Sequence, residues 1–181
     1  MNQQDIDLLR YPIGKFLKPI GFSKEFISQN IEIIDQYPGL LKNEVFHLSN
    51  EELKLIYRPG GWNIAQVVHH TADSHMNAFI RFKLTLTETT PTIKPYLQHL
   101  WAQLPDCIDV PIEASLKILE GLHLRWSTLL RTLSENDFEK KYIHPEQQRE
   151  VTLYEVLALY AWHCKHHFAH VQQAKKHRGK F

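Results

Sequence analysis

Only two of the 181 residues are cysteines, Cys107 and Cys164, and they form no CxxC pair. That argues against a disulfide framework or a cysteine zinc knuckle and fits a reducing compartment. Charge of one sign is equally scarce. With 21 Lys and Arg against 20 Asp and Glu, no extended field supports a nucleic-acid or acidic-membrane partner; only the C-terminal "KKHRGKF" is locally basic. No apolar run approaches the roughly 18 residues of a membrane-spanning helix. The polar, partly acidic start "MNQQDIDLLR" lacks the apolar core of a secretory signal, so a cytoplasmic protein is expected. There is no glycine-rich phosphate loop, no G-x-S-x-G elbow and no readable Ser, His and Asp arrangement, which leaves nucleotide binding and serine hydrolysis without a motif.

What is present suffices for one buried core: 43% of residues are apolar and 23% charged, which predicts a single domain over residues 1–181. The stretch to Phe22 carries Pro12, Gly14, Pro19 and Gly21 and reads as an extended arm. Ser23 is a candidate cap for a first helix, whose apolar positions Ile27, Ile31, Ile34, Leu41 and Val45 step by three and four, with a kink or break expected near Pro38. Asn63 and Gln66 form a capping box for a second helix starting at Ile64. A proline-rich connection from Pro91 to Pro111, with room for one short helical turn, leads to the third helix, "EASLKILEGLHLRWSTLLRTLS". The polar "DFEKKYIHPEQQREV" has room for a hairpin. A fourth helix follows, opened by a capping box of Thr152 and Glu155 and closed by Lys175, Lys176, His177 and Arg178 before Gly179. Four long helices with little strand signal predict an all-α, up-and-down four-helix bundle with an N-terminal extended arm, a fold that builds metal and ligand sites in its core.

The segment "WHCKHHFAH" places four of the chain's twelve histidines in nine residues. At about 100° per residue, with His163 at zero, His167 falls near +40°, His170 near −20° and His166 near −60°, on the stripe already marked by Val156, Leu159 and Tyr160. All four are therefore aimed at the core, where an unpaired polar group costs about 1–3 kcal/mol. Two imidazoles at i and i+4 reach one divalent ion economically, and both His163/His167 and His166/His170 have that spacing. A third ligand is expected from "VVHHTADSH" in the second helix. There His70 shares a polar face with Asn63, Gln66, Ser74, Asn77 and Arg81, whereas His69 faces the apolar side and reads as a core histidine. Asn77 and Arg81 are expected to line a pocket and orient an anionic substrate or a thiol carboxylate. "HCKHH" lacks the glutamate of a zinc protease. Cys164 lies about 100° from His163 and reads as a packing residue.

Together "RYPIGKF", "YRPGGWNIAQVVHHTADSHMNAFIRFKLTLTE", "LHLRWSTLLRTL", "YIHPE" and "LALYAWHCKHHFAHV" resemble the DinB/YfiT-like superfamily, and within it the YfiT group, over nearly the whole length. The resemblance implies one divalent metal per chain, zinc or nickel, held by His70, His163 and His167, with His166 and His170 in supporting or pocket positions. It also implies a homodimer and a metal-dependent hydrolase that activates water at the three-histidine site. The alternatives are a small-thiol (bacillithiol-like) S-transferase at the same metal and a metal-binding module without turnover. The substrate is expected to be a small molecule, in the transferase case paired with a low-molecular-weight thiol. No catalytic residue beyond the ligands is assigned.

Overall fold

The computed structural model describes residues 3–181. Its first element is a helix, α1 (Gln3–Arg10), followed by extended chain to Phe22. The breakers Pro12, Gly14, Pro19 and Gly21 all lie beyond Arg10, so the breaker-free segment before them is free to wind, and the expected arm begins only at Tyr11. Gly14 and Gly21 take positive φ, 80° and 73°.

The long helices are α2 (Lys24–Val45), α4 (Ile64–Thr87), α7 (Glu113–Thr132) and α9 (Leu153–His177), with a single turn α3 (Asn50–Leu53) between the first two. The proline-rich connection contains two one-turn helices, α5 (Gln98–Trp101) and α6 (Pro105–Ile108). A short α8 (Glu135–Glu139) precedes an antiparallel hairpin of β1 (Lys141–His144) and β2 (Arg149–Thr152), in which Tyr142 pairs with Val151. Among the described residues no helix is long and apolar enough to cross a membrane.

Local chemistry sets the helix starts. The Ser23 side chain accepts from Phe26 N, and Asn63 and Gln66 exchange the two bonds of a full capping box, at 2.8 and 3.1 Å. Thr152 accepts from Glu155 N at 3.2 Å, but the reciprocal half is missing. The Glu155 carboxylate is instead gripped by the two terminal guanidinium nitrogens of Arg149, at 3.0 and 2.6 Å, and by Lys18 at 3.0 Å. Charge-assisted bonds outcompete a neutral backbone donor.

α2 runs continuously through Pro38, where a kink or break was expected. Proline has no N–H to donate to the carbonyl four residues earlier. That carbonyl, Ile34 O, is taken up by His123 Nδ1 of α7 at 2.5 Å, so the lost intrahelical bond is replaced across the bundle.

α2 packs chiefly on α7 and α9, and α4 on the same two helices. The cyclic order is thus α2, α7, α4, α9, with the chain crossing the diagonal between α2 and α4 and again between α7 and α9. A simple up-and-down meander would make each helix the neighbour of the next; here the long connections carry the chain across, and helical periodicity is blind to that choice. The core is built from large side chains of all four helices, among them Ile34, Tyr37, Phe82, Leu119, Trp126 and Leu157.

Candidate metal centre

His70 lies in the second turn of α4, and His163 and His167 sit one turn apart on α9, the neighbour of α4. Helix adjacency therefore turns a wide separation along the chain into contact. Ring centroids are 5.4 Å apart for His70 and His163, 4.8 Å for His70 and His167, and 4.3 Å for His163 and His167. One ring nitrogen from each lies within 4.8 Å of the other two. Two nitrogens bound to one ion at about 2.1 Å stand at most about 4.2 Å apart, so small side-chain rotations bring all three to a common ion.

The protonation state fits as well. Burial drives the His70 pKa down to about 3, helped by the charge of His166. Burial, then the neighbouring imidazoles, pushes His163 and His167 well below the ordinary histidine value. At neutral pH all three rings are uncharged and keep a lone pair, as a divalent ion requires.

The rings form the floor of a cleft of about 610 Å³. Its walls include Tyr57, Trp62 and Trp162, and its arginines are Arg10 and Arg58; among the described residues no Asp, Glu or Cys lines it. Trp62 packs against His70, with centroids 4.6 Å apart. His166 stacks on Trp162 at 4.3 Å and 18° and leaves a buried Nδ1 without a partner. His170 Nε2 contacts Arg10 O at 3.1 Å, and its Nδ1 lies 3.4 Å from His167 Nδ1. His166 and His170 thus line the same cleft as the three-histidine cluster.

Asn77 and Arg81 do not line this cleft. Asn77 Nδ2 donates back to Asp73 O at 2.9 Å, and an Arg81 guanidinium N–H reaches Lys94 O at 3.2 Å. Two and three turns along α4 carry them away from the level of His70 toward the hairpin end, a displacement that facial angle alone does not register. His69 is buried with Nδ1 2.8 Å from Ser115 Oγ of α7, as expected of a core histidine. Cys164 is buried and free.

Two further histidines, His75 and His123, join the cluster without having been singled out by the sequence pattern. His75 Nε2 lies 3.0 Å from His163 Nδ1, and His75 Nδ1 lies 2.7 Å from His123 Nε2. The signal that points to them is Pro38, because a buried proline inside a helix leaves a carbonyl that some other donor has to satisfy.

Comparison with known proteins fits this geometry. The model of the DinB superfamily matches residues 40–171. Relatives from Bacillus licheniformis and Oceanobacillus iheyensis, both provisionally named metal-dependent hydrolases, are 46% and 47% identical, over 96% and 93% of this chain and 99% and 97% of their own. The solved structure of YfiT from Bacillus subtilis, described as a probable metal-dependent hydrolase with an unusual four-helix bundle topology, superposes with a TM-score of 0.92 at 42% identity, covering 95% of this chain and 98% of that one. A mycothiol-dependent maleylpyruvate isomerase shares the fold, with a TM-score of 0.62 at 16% identity, covering 80% of this chain and 60% of that one.

Proposed function

The chain belongs to the DinB superfamily, and from that premise we propose that it is a metal-dependent hydrolase of small anionic substrates, with one divalent ion, zinc or nickel, held by His70, His163 and His167. The observation that carries the reading is the convergence of three uncharged ring nitrogens within 4.8 Å at the floor of an open cleft. A bound divalent ion supplies positive charge that acidifies water and polarises a carbonyl.

The remaining roles fall to the protein. Three neutral imidazoles and a lining without carboxylates among the described residues leave that charge uncompensated, so an anionic substrate is favoured. Arg10 and Arg58 at the cleft wall add donors for a carboxylate or phosphate; Arg58 Nε is buried and unpartnered. Tyr57, Trp62 and Trp162 add aromatic surface to the walls, which lowers the local polarity and strengthens those interactions. His166, drawn down to about 4 by burial, stays uncharged at neutral pH and adds no positive charge beside the three rings.

The test uses untagged protein loaded separately with zinc and nickel. Each form is offered anionic esters and amides, and in parallel a small thiol with an electrophile. Hydrolysis that chelator and His70→Ala both abolish is the expected result. Turnover of the thiol pair without hydrolysis replaces the hydrolase with the transferase, and metal uptake with no turnover of either kind leaves only a binding module.

A further inference from the structure

We propose that two relays of buried imidazoles, each anchored on a backbone carbonyl, hold His163 and His167 as Nδ1–H tautomers and thereby aim both Nε2 lone pairs at the ion. His123, His75 and His170 are, on this inference, positioning residues. The consequence for metal binding rests on the metal-centre reading above; the tautomers themselves do not.

The longer relay has its direction fixed at one end. Ile34 O is only an acceptor, so His123 Nδ1, 2.5 Å away, carries the hydrogen. His123 and His75 are 1% and 0% exposed, and burial keeps such rings neutral, with one hydrogen each. His123 Nε2 is then a lone pair and accepts from His75 Nδ1–H at 2.7 Å. His75 Nε2 in turn accepts from His163 Nδ1–H at 3.0 Å. One hydrogen per ring leaves His163 Nε2 bare.

Each step crosses to the next helix in the cyclic order: α2 (Ile34), α7 (His123), α4 (His75), α9 (His163). The anchor exists because Pro38 has no N–H for Ile34 O. Tyr37 and Tyr160 pack on His75 at 5.5 and 5.3 Å, and Trp126 packs on His123 at 5.8 Å. With His75 and His123 buried among these rings, bulk water does not reach the relay to reverse it.

The shorter relay follows the same logic. Arg10 O accepts from His170 Nε2–H at 3.1 Å, so His170 Nδ1 is a lone pair facing His167 Nδ1–H across a long 3.4 Å. His167 Nε2 is left bare. Both α9 imidazoles thus reach the same tautomer by independent routes, one through the core and one through the last residue of α1.

Partners that fix the tautomer of a metal-binding histidine are typically worth about 10- to 100-fold in metal affinity. The test reads tautomers in metal-free, ¹⁵N-labelled protein at neutral pH by long-range ¹H–¹⁵N correlation. Nδ1–H is expected at His123, His75, His163 and His167, and Nε2–H at His170. An Nε2–H signature at His163 in the wild type overturns the longer relay, and one at His167 overturns the shorter.

His123→Phe keeps a ring but removes both nitrogens. It is expected to let His163 sample both tautomers and to raise the nickel Kd about 10- to 100-fold, whereas unchanged signature and affinity overturn the proposal. Should this variant fail to fold, the wild-type tautomers decide alone. Wild-type protein that takes up neither nickel nor zinc defeats the metal centre, and the relays are still settled by the spectrum.

Discussion

The imidazole of His170 lies flat on the ring of Tyr57, with centroids 3.8 Å apart and 14° between the planes. Stacking fixes the plane of His170 and with it the direction of both nitrogens, one toward Arg10 O and the other toward His167. Tyr57→Leu keeps apolar bulk but frees that plane. It is expected to weaken nickel binding up to about 10-fold with the helical content intact, as calorimetric titration and circular dichroism would show; unchanged affinity removes the role assigned to the stack.

Acid is expected to destabilise the metal-free protein. Burial lowers the folded-state pKa of His70 and His170 to about 3 and of His123 and His166 to about 4. The unfolded chain takes up these protons below about 6.5, so the unfolded state binds more protons as pH falls and stability drops with it. The stabilisation is present above about pH 6.5 and is lost progressively toward about pH 3. Melting temperatures recorded in chelator from neutral to mildly acidic pH check this, and a flat profile contradicts it.

Removing a bound ion should cost stability at fixed pH. A ligand at about 100 times its Kd adds about 2.7 kcal/mol by mass action, and each kcal/mol moves the midpoint of a domain of this size by about 2–4 °C. Chelation of metal-loaded protein is therefore expected to lower Tm by about 5–10 °C. His163→Ala should lose this response entirely, since it lacks one of the three converging rings.

Asp73 offers a change of opposite sign. Burial, then the charge of Asp106, raises its pKa to about 6. The unfolded carboxyl ionises first, so this group contributes stability only at low pH and loses it as pH rises from about 4 to 6. Asp73→Asn, which mimics the protonated form, is expected to raise stability at neutral pH by about 1 kcal/mol after allowance for solvent screening. Equilibrium urea unfolding at neutral pH and near pH ~4 measures it, and the gain should vanish at the lower pH.

Arg58 separates substrate binding from metal binding. If its guanidinium meets an anionic group, Arg58→Ala is expected to raise KM at least about 10-fold, the worth of one charge-assisted hydrogen bond. The metal content should stay at one ion per chain. An unchanged KM for an anionic substrate, beside normal kcat, assigns the cleft's anion preference elsewhere.

The sequence is legible where the signal is local. Ser23 and Asn63 cap α2 and α4 through side-chain bonds to amides three residues away, and the four long helices follow from apolar steps of three and four. The spacing of His163 and His167 puts both rings on one face, and the apolar stripe of Val156, Leu159 and Tyr160 marks that face as inward. The capping box at Thr152 is legible by half only, because Arg149 and Lys18 claim the Glu155 carboxylate. α1 escapes a reading by breakers, since Pro12 and Gly14 mark where the extended chain starts and carry no information about the residues before them.

What sequence alone determined is therefore the set of long helices and the inward aim of the histidines. Periodicity tells which way a side chain faces on its own helix, not which helix it meets. Only the tertiary structure decided that α4 lies beside α9 while α2 lies across the diagonal from α4, since that order depends on long-range packing and on connections with no regular signal. That order brings His70 to His163 and His167, threads Ile34, His123 and His75 to the same ring, and leaves Arg81 bonded to Lys94 outside the cleft that Arg10 and Arg58 line.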